Sequence, residues 1–246
     1  MNIVQYRLSL PAATPLDGVV DRISTLRRAA SLLPVQSISP LRILGSEDIK
    51  TAAEHDVAGL GCVVFGLTRR IGIQYNEEGE PSISASRKNE RVVEVVPCRA
   101  VGFSIQPGYE SDRFDLFLAD YPEFIQVVGR GSSARRRFKV PTNRTGWTCD
   151  SLCITGARDS TLIDFLKSHL LVIALLDSAH DLGVEVDAAD DGDYWSSRSL
   201  EKLIAVFPGN EQENWSEHSD FIVSLQNLAE LTGAVDLHLL PLGEPE

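Results

Sequence analysis

Residues 160–182 place apolar side chains on every side of a helix, and this stretch limits the folds open to the chain more than any other. On a helical wheel Leu162, Phe165, Leu166, Val172, Ile173 and Leu176 mark one face, while Leu171 and Leu175 fall on the opposite one. A helix that is apolar all round must be covered on both sides. The cover has to come from elsewhere in the chain, so this helix is expected to be the central beam of a layered core.

The rest of the sequence supplies the layers. Positions 2–10 alternate polar and apolar residues as an opening strand does, closed by Pro11. Thr14-Pro15-Leu16-Asp17 has the form of a helix start, with Thr14 as N-cap and Pro15 at the first helical position. Val19, Val20, Ile23, Leu26, Ala30 and Leu33 continue the helical spacing until Pro34 stops it. Between 60 and 140 come short β-branched and aromatic runs at 62–67, 70–75, 91–96, 101–105, 114–118, 124–128 and 137–140, separated by turn residues. Further helices are expected over 197–207 and 215–232, with Gly183 and Gly233 as C-caps. Strands first and helices afterwards predict an α+β fold: a mainly antiparallel sheet with a buried central helix and further helices packed on it.

Charge is divided unevenly along the chain. Residues 1–145 carry 19 Lys/Arg against 16 Asp/Glu and residues 146–246 carry 4 against 19, so a net +3 precedes a net −15. An acidic surface repels phosphate backbones and anionic lipid, so neither nucleic acid nor a membrane is expected as a partner of the C-terminal region. A cationic partner, whether a protein or a small molecule, a metal ion, and plain solubility are the remaining readings. The segment 140–146, at the charge step, is the natural boundary if the chain divides into a sheet-rich region (residues 1–145) and an acidic helical region (residues 146–246). The long helix needs covering, which favours one compact unit over residues 1–246. No run approaches eighteen apolar residues and the N-terminus lacks an export pattern, so a soluble cytoplasmic protein is expected. Cys62, Cys98, Cys149 and Cys153 are few and lie in apolar surroundings, as reduced thiols do.

Several residues have the chemistry of a site. His169 and His180 lie on the apolar helix, where a histidine beside a carboxylate is a recurrent acid–base group and one satisfied by a core hydrogen bond is a structural one. Cys153 would complete a nucleophile pair with His169 only if its strand returned alongside the helix, because His169 lies roughly 15 Å from the helix start. Cys149 and Cys153 have a zinc-compatible spacing, but no second close Cys/His pair completes four ligands. In the acidic turn 187–193, a calcium loop starting at Asp187 would put Ala189 at position three and Arg198 where the bidentate glutamate belongs. An EF-hand is therefore excluded, and a looser divalent-cation site is the alternative to a plain acidic cap. In the cap reading Asp191 and Asp193 complement a helix beginning near Ser197 while Trp195 packs its first turn. Arg135, Arg136, Arg137 and Lys139 follow a Gly/Ser turn and could hold a phosphate, although no Walker loop is present. The other outcome for such a run is a solvated hairpin or a partner for the chain's own acidic half.

Pro107-Gly108, Tyr121-Pro122, Trp147 followed by Cys153, His169-Leu170, Leu176-Asp177 and Asp190-Asp191-Gly192-Asp193-Tyr194-Trp195 occur in this order. The series resembles a group of bacterial proteins without an established activity, whose motifs are a Trp followed by Cys-Lys-Thr-Gln-Tyr-Ala, then His-Leu and Asp-Glu-Gly-x-Tyr-Trp. The similarity spans about residues 95–230. It departs after Cys153, where Ile154-Thr155-Gly156 stands in place of Lys-Thr-Gln-Tyr, and at Asp191, which replaces Glu. The resemblance implies that Cys153, His169, Asp191 and Trp195 converge on one pocket.

These observations predict a soluble binding or interaction protein with an acidic C-terminal face, no cofactor and no structural metal. The binding side chains would be Tyr194, Trp195, Arg135, Arg136 and Arg137. Two alternatives accompany it: a hydrolase using His169, Asp191 and Cys153, and an anion or nucleotide binder acting through residues 135–139.

Overall fold

Strand β1 (Asn2–Leu10) sets the geometry, because its alternation buries Val4, Tyr6, Leu8 and Leu10 on one face and leaves Gln5 and Arg7 on the other. The computed structural model describes residues 2–54, 66–84, 91–108, 111–156 and 160–207. Among these, the fold is α+β with antiparallel sheets. After β1 come α1 (Leu16–Ala30), β2 (Ser37–Ile38), β3 (Arg42–Leu44), α2 (Ser46–Glu54), β4 (Arg69–Tyr75), β5 (Pro81–Ile83) and β6 (Arg91–Val95). Next are β7 (Arg99–Gln106), β8 (Phe114–Asp120), β9 (Phe124–Val128), β10 (Arg137–Pro141) and β11 (Trp147–Gly156). The beam helix α3 (Leu162–Asp181), β12 (Glu185–Asp190), α4 (Tyr194–Ser197) and α5 (Leu200–Ala205) complete the described order.

The main sheet has seven strands in the order β12-β1-β11-β8-β7-β2, with β3 also against β7. Because β1 lies between β11 and β12, the N-terminal strand is embedded in the acidic region of the chain. Two smaller sheets, β5-β4-β6 and β10-β9, share no strand pairing with it. Gly146 turns the chain into β11 with φ of 79°, and a Cβ there would meet the Leu10 carbonyl oxygen at 2.3 Å.

Helix α3 packs against α1, β11 and β12. Thr161 caps it: its hydroxyl accepts from the Asp164 N–H at 3.1 Å and donates to the Asp164 carboxylate at 2.7 Å. Leu162, Phe165, Leu171 and Leu175 are all buried in one core with the inward residues of β1, β7, β8 and β11, so both faces of the helix are covered. The other face of β7 and β8, including Ala100, Phe117 and Ala119, packs with α2 and Val95 in a second core.

Some expectations shift. Helix α1 starts one residue later than its spacing suggested, with Pro15 at the cap position and no side-chain cap bond. The side chain of His180, a candidate site residue on the apolar helix, is 71% exposed near the helix end. The acidic turn of 187–193 is in its first half a strand: Val186 and Ala188 pack inward on β12 while Glu185 and Asp187 face out. The helix expected over 197–207 is broken, because Arg198 adopts φ of 54° and Ser199 recaps the chain by accepting from the Lys202 N–H at 3.3 Å. The expected helix at 215–232, Gly233, and positions 62–65 of the first expected strand in the 60–140 run lie outside the described residues.

Candidate functional site

The inner site is assembled around His169 on α3, whose side chain is 1% exposed. Strand β11 brings Thr155 to it through an irregularity. Asn2 pairs with Gly156 and Ile3 with Ile154, so Thr155 is the extra residue of a β-bulge. Its Oγ1 lies 3.1 Å from His169 Nδ1 and 3.4 Å from the Asn2 carbonyl oxygen. Because Asp190 Oδ1 lies 3.6 Å from Nε2, the tautomer with its proton on Nε2 is favoured, and Nδ1 then accepts from the Thr155 hydroxyl. That separation exceeds a hydrogen bond, and Nε2 has no hydrogen-bond partner among the described residues. Phe165 and Tyr194 wall the imidazole, with ring centroids 5.5 Å and 6.0 Å away. Burial, the largest influence, pushes His169 down to about 4 against the opposing pull of Asp190 and Asp191.

Asp190 is the carboxylate that organises the acidic turn. It ends β12 on the inward phase opposite Val4, and its side chain is fully buried. Its Oδ1 accepts from the Gly192 and Tyr194 N–H groups at 3.0 and 2.9 Å, and its Oδ2 from the Trp195 N–H at 2.6 Å. The capping role expected of Asp191 and Asp193 therefore belongs to Asp190. Asp191 is exposed and accepts from the Ile3 N–H at 3.0 Å, pinning the start of β1. Asp193 takes a left-handed conformation, accepts from Ser196 and pairs with Lys202 at 2.9 Å.

Cys153 is fully buried on the inward face of β11, opposite Val4. Its Sγ lies 3.7 Å from the Asp112 carbonyl oxygen, and no hydrogen bond joins it to His169 among the described residues. Burial pushes its thiol well above its ordinary value, and that of Cys149 up to about 12, so both are poor thiolates. The described cysteines are free. An acid–base or nucleophilic group must reach its substrate, and His169 and Cys153 are closed off from the surface.

Tyr194 is buried and Trp195 half-buried, and Arg198 spans both. Its guanidinium sits 4.7 Å from the Trp195 ring centroid and 6.0 Å from that of Tyr194, while Asp177 accepts from it at 3.0 and 2.6 Å. The stack holds the broken helix against α3. Arg135, Arg136 and Arg137 are exposed on the hairpin joining β9 to β10. They form no side-chain hydrogen bond or ion pair among the described residues.

A second charged centre was not visible in the sequence. On the outward face of β11, Asp150 accepts from Arg7 Nε at 2.5 Å and from Arg144 Nη1 at 3.0 Å, with Arg69 Nε 3.8 Å away. Burial pushes the Asp150 carboxyl up, but the Arg7 hydrogen bond and the charges of Arg144 and Arg69 outweigh it and hold the group below its ordinary value. Arg7 was legible as outward-facing from the alternation of β1; its partner Asp150, 143 residues away, had no local signal.

No group of three or more His, Cys, Asp or Glu side chains is placed to hold a metal ion among the described residues, and no described helix is long and apolar enough to cross a membrane. No protein-family model matches the chain, and comparisons with curated proteins and with solved structures find no match.

Proposed function

We propose that this chain is a cytoplasmic binding protein that engages a cationic partner through its acidic C-terminal face. The observation that carries the reading is the line of exposed carboxylates along the sheet edge: Glu185 and Asp187 on β12, Asp181 before it and Asp191 after it. Of the cations in this region of the chain, Arg198 and Lys202 are paired with Asp177 and Asp193. A carboxylate row beside a sheet edge accelerates encounter with a positive surface and repels anionic competitors. The burial of His169 and Cys153 supports binding over hydrolysis, because it leaves the best acid–base and nucleophilic candidates out of reach.

The test is affinity capture with the wild-type chain and with a variant combining Asp181→Asn, Glu185→Gln and Asp187→Asn. The wild type is expected to retain a basic protein that elutes at raised salt and that the variant fails to retain. Equal retention by both chains, or no partner for the wild type, would contradict the reading.

A further inference from the structure

A groove runs along the outward face of the main sheet where β4 and β5 approach it, and its lining differs in sign from the acidic edge. It is open to solvent and has a volume of about 510 Å³, within the size range of small-molecule sites. Arg7 from β1, Arg70 from β4 and Arg144 from the connection between β10 and β11 line it, and no carboxylate is among the described lining residues. Among the described residues each of these arginines donates one side-chain hydrogen bond: Arg7 and Arg144 to Asp150, Arg70 to Glu94. A guanidinium carries five N–H donors, so most of the donor capacity around the groove remains available. Three arginines, with Arg69 behind them at Asp150, face the carboxylates Asp150, Glu94 and Asp187, the last lying opposite Arg7 in the sheet. Among the described residues the balance is positive.

One hydroxyl of the lining lacks a polar partner. Thr148 lines it, and its buried Oγ1 has no hydrogen-bond partner among the described residues. An unsatisfied buried hydroxyl is costly, and such groups call for an explanation. Asn143, with φ of 54°, turns the chain so that Asn143, Arg144 and Thr145 all border the groove. Ile71 and Ile83 form an apolar wall on the β4 and β5 side. Planar arginine forks, hydroxyl and amide donors and one apolar wall are the components of a site for a phosphate group attached to a small organic body.

We infer that this groove binds a phosphate-bearing small molecule, its phosphate held between Arg70 and Arg144 above Thr148. The inference goes beyond the acidic-face reading: the two share only Asp187, which lies opposite Arg7, and they concern ligands of opposite charge.

The test is calorimetric titration of the full chain with inorganic phosphate and, separately, succinate, at matched ionic strength. Phosphate is expected to bind saturably with Kd of about a millimolar or tighter. Arg70→Gln and Arg144→Gln should each weaken it about tenfold or more, whereas a variant with Arg135→Gln, Arg136→Gln and Arg137→Gln should bind as the wild type does. Thr148→Val preserves side-chain shape and is expected to weaken binding severalfold without lowering the unfolding temperature. That variant and Arg70→Gln keep the test valid if the loss of Arg144 disturbs folding. Absence of saturable phosphate binding, binding unaffected by both Arg70→Gln and Thr148→Val, loss of binding in the hairpin variant, or succinate binding as tight as phosphate would each overturn the inference.

Discussion

Asp190 and Asp150 are both carboxylates at the heart of a cluster, yet one is closed and the other open. The Asp190 side chain is fully buried and accepts from three backbone N–H groups, and its neighbour His169 is held by Thr155 and two aromatic rings. Asp150 is 27% exposed and gathers long arginine side chains whose remaining donors face a groove. The same pairing of a carboxylate with nitrogen groups thus serves two ends. Where backbone donors fill a carboxylate inside a core the group fixes the fold, and where flexible cations surround it at the surface the positive excess remains free to bind.

That comparison is broken most severely at Asp190. Asp190→Ala leaves three backbone N–H groups without their acceptor and is expected to cost on the order of 4 kcal/mol, read by chemical denaturation. A loss under about 1 kcal/mol would show that the turn holds without its carboxylate.

Acid should act next. The folded-state pKa of His169 lies below its unfolded value, so above about 6.5 both states are neutral and the group adds no pH dependence. As pH falls through that value the unfolded chain takes up a proton that the folded chain refuses, and stability declines until about pH 4. The expected loss approaches about 3 kcal/mol, and His169→Gln should flatten the profile in this window. The Asp150 contribution has the opposite form: its lowered carboxyl stabilises the fold above the ordinary carboxylate value and is lost only at more acid pH. A profile that stays flat from about pH 6.5 to about 4.5 in the wild type would refute the closed-site description.

Arg198→Ala should cost about 1 kcal/mol, from loss of the Asp177 pair and the Trp195 stack. Arg70→Gln should change stability by less than about 0.5 kcal/mol, because Arg70 and Glu94 are a largely exposed pair. If Arg70→Gln proved as damaging as Asp190→Ala, the outer cluster would be structural too.

Much of the fold was legible in local patterns. Period-two alternation located β1, the all-round apolar wheel required α3 to be covered on both faces, and Gly183 marked its C-terminal end. Strand β12 was missed because Asp187, Asp190 and Asp191 carry a turn signal, while the alternation of Val186 and Ala188 is short and gains meaning only beside β1. His169 and its acidic neighbourhood were legible as a place. Which carboxylate would enter was not, since Asp190 faces inward by the phase of a strand whose register β1 sets. The Asp150 cluster joins β1, β4 and β11, so long-range pairing decides it.

The most direct test of the closed inner site follows the His169 ring by NMR as pH is lowered in the folded protein, with His169→Gln used to assign the signal. Its ring carbon proton should keep the shift of neutral imidazole through about pH 6.5 and move only as pH approaches about 4. Titration at or above about 6.5 would show an accessible, chargeable imidazole and contradict the assignment of His169 and Asp190 to the fold.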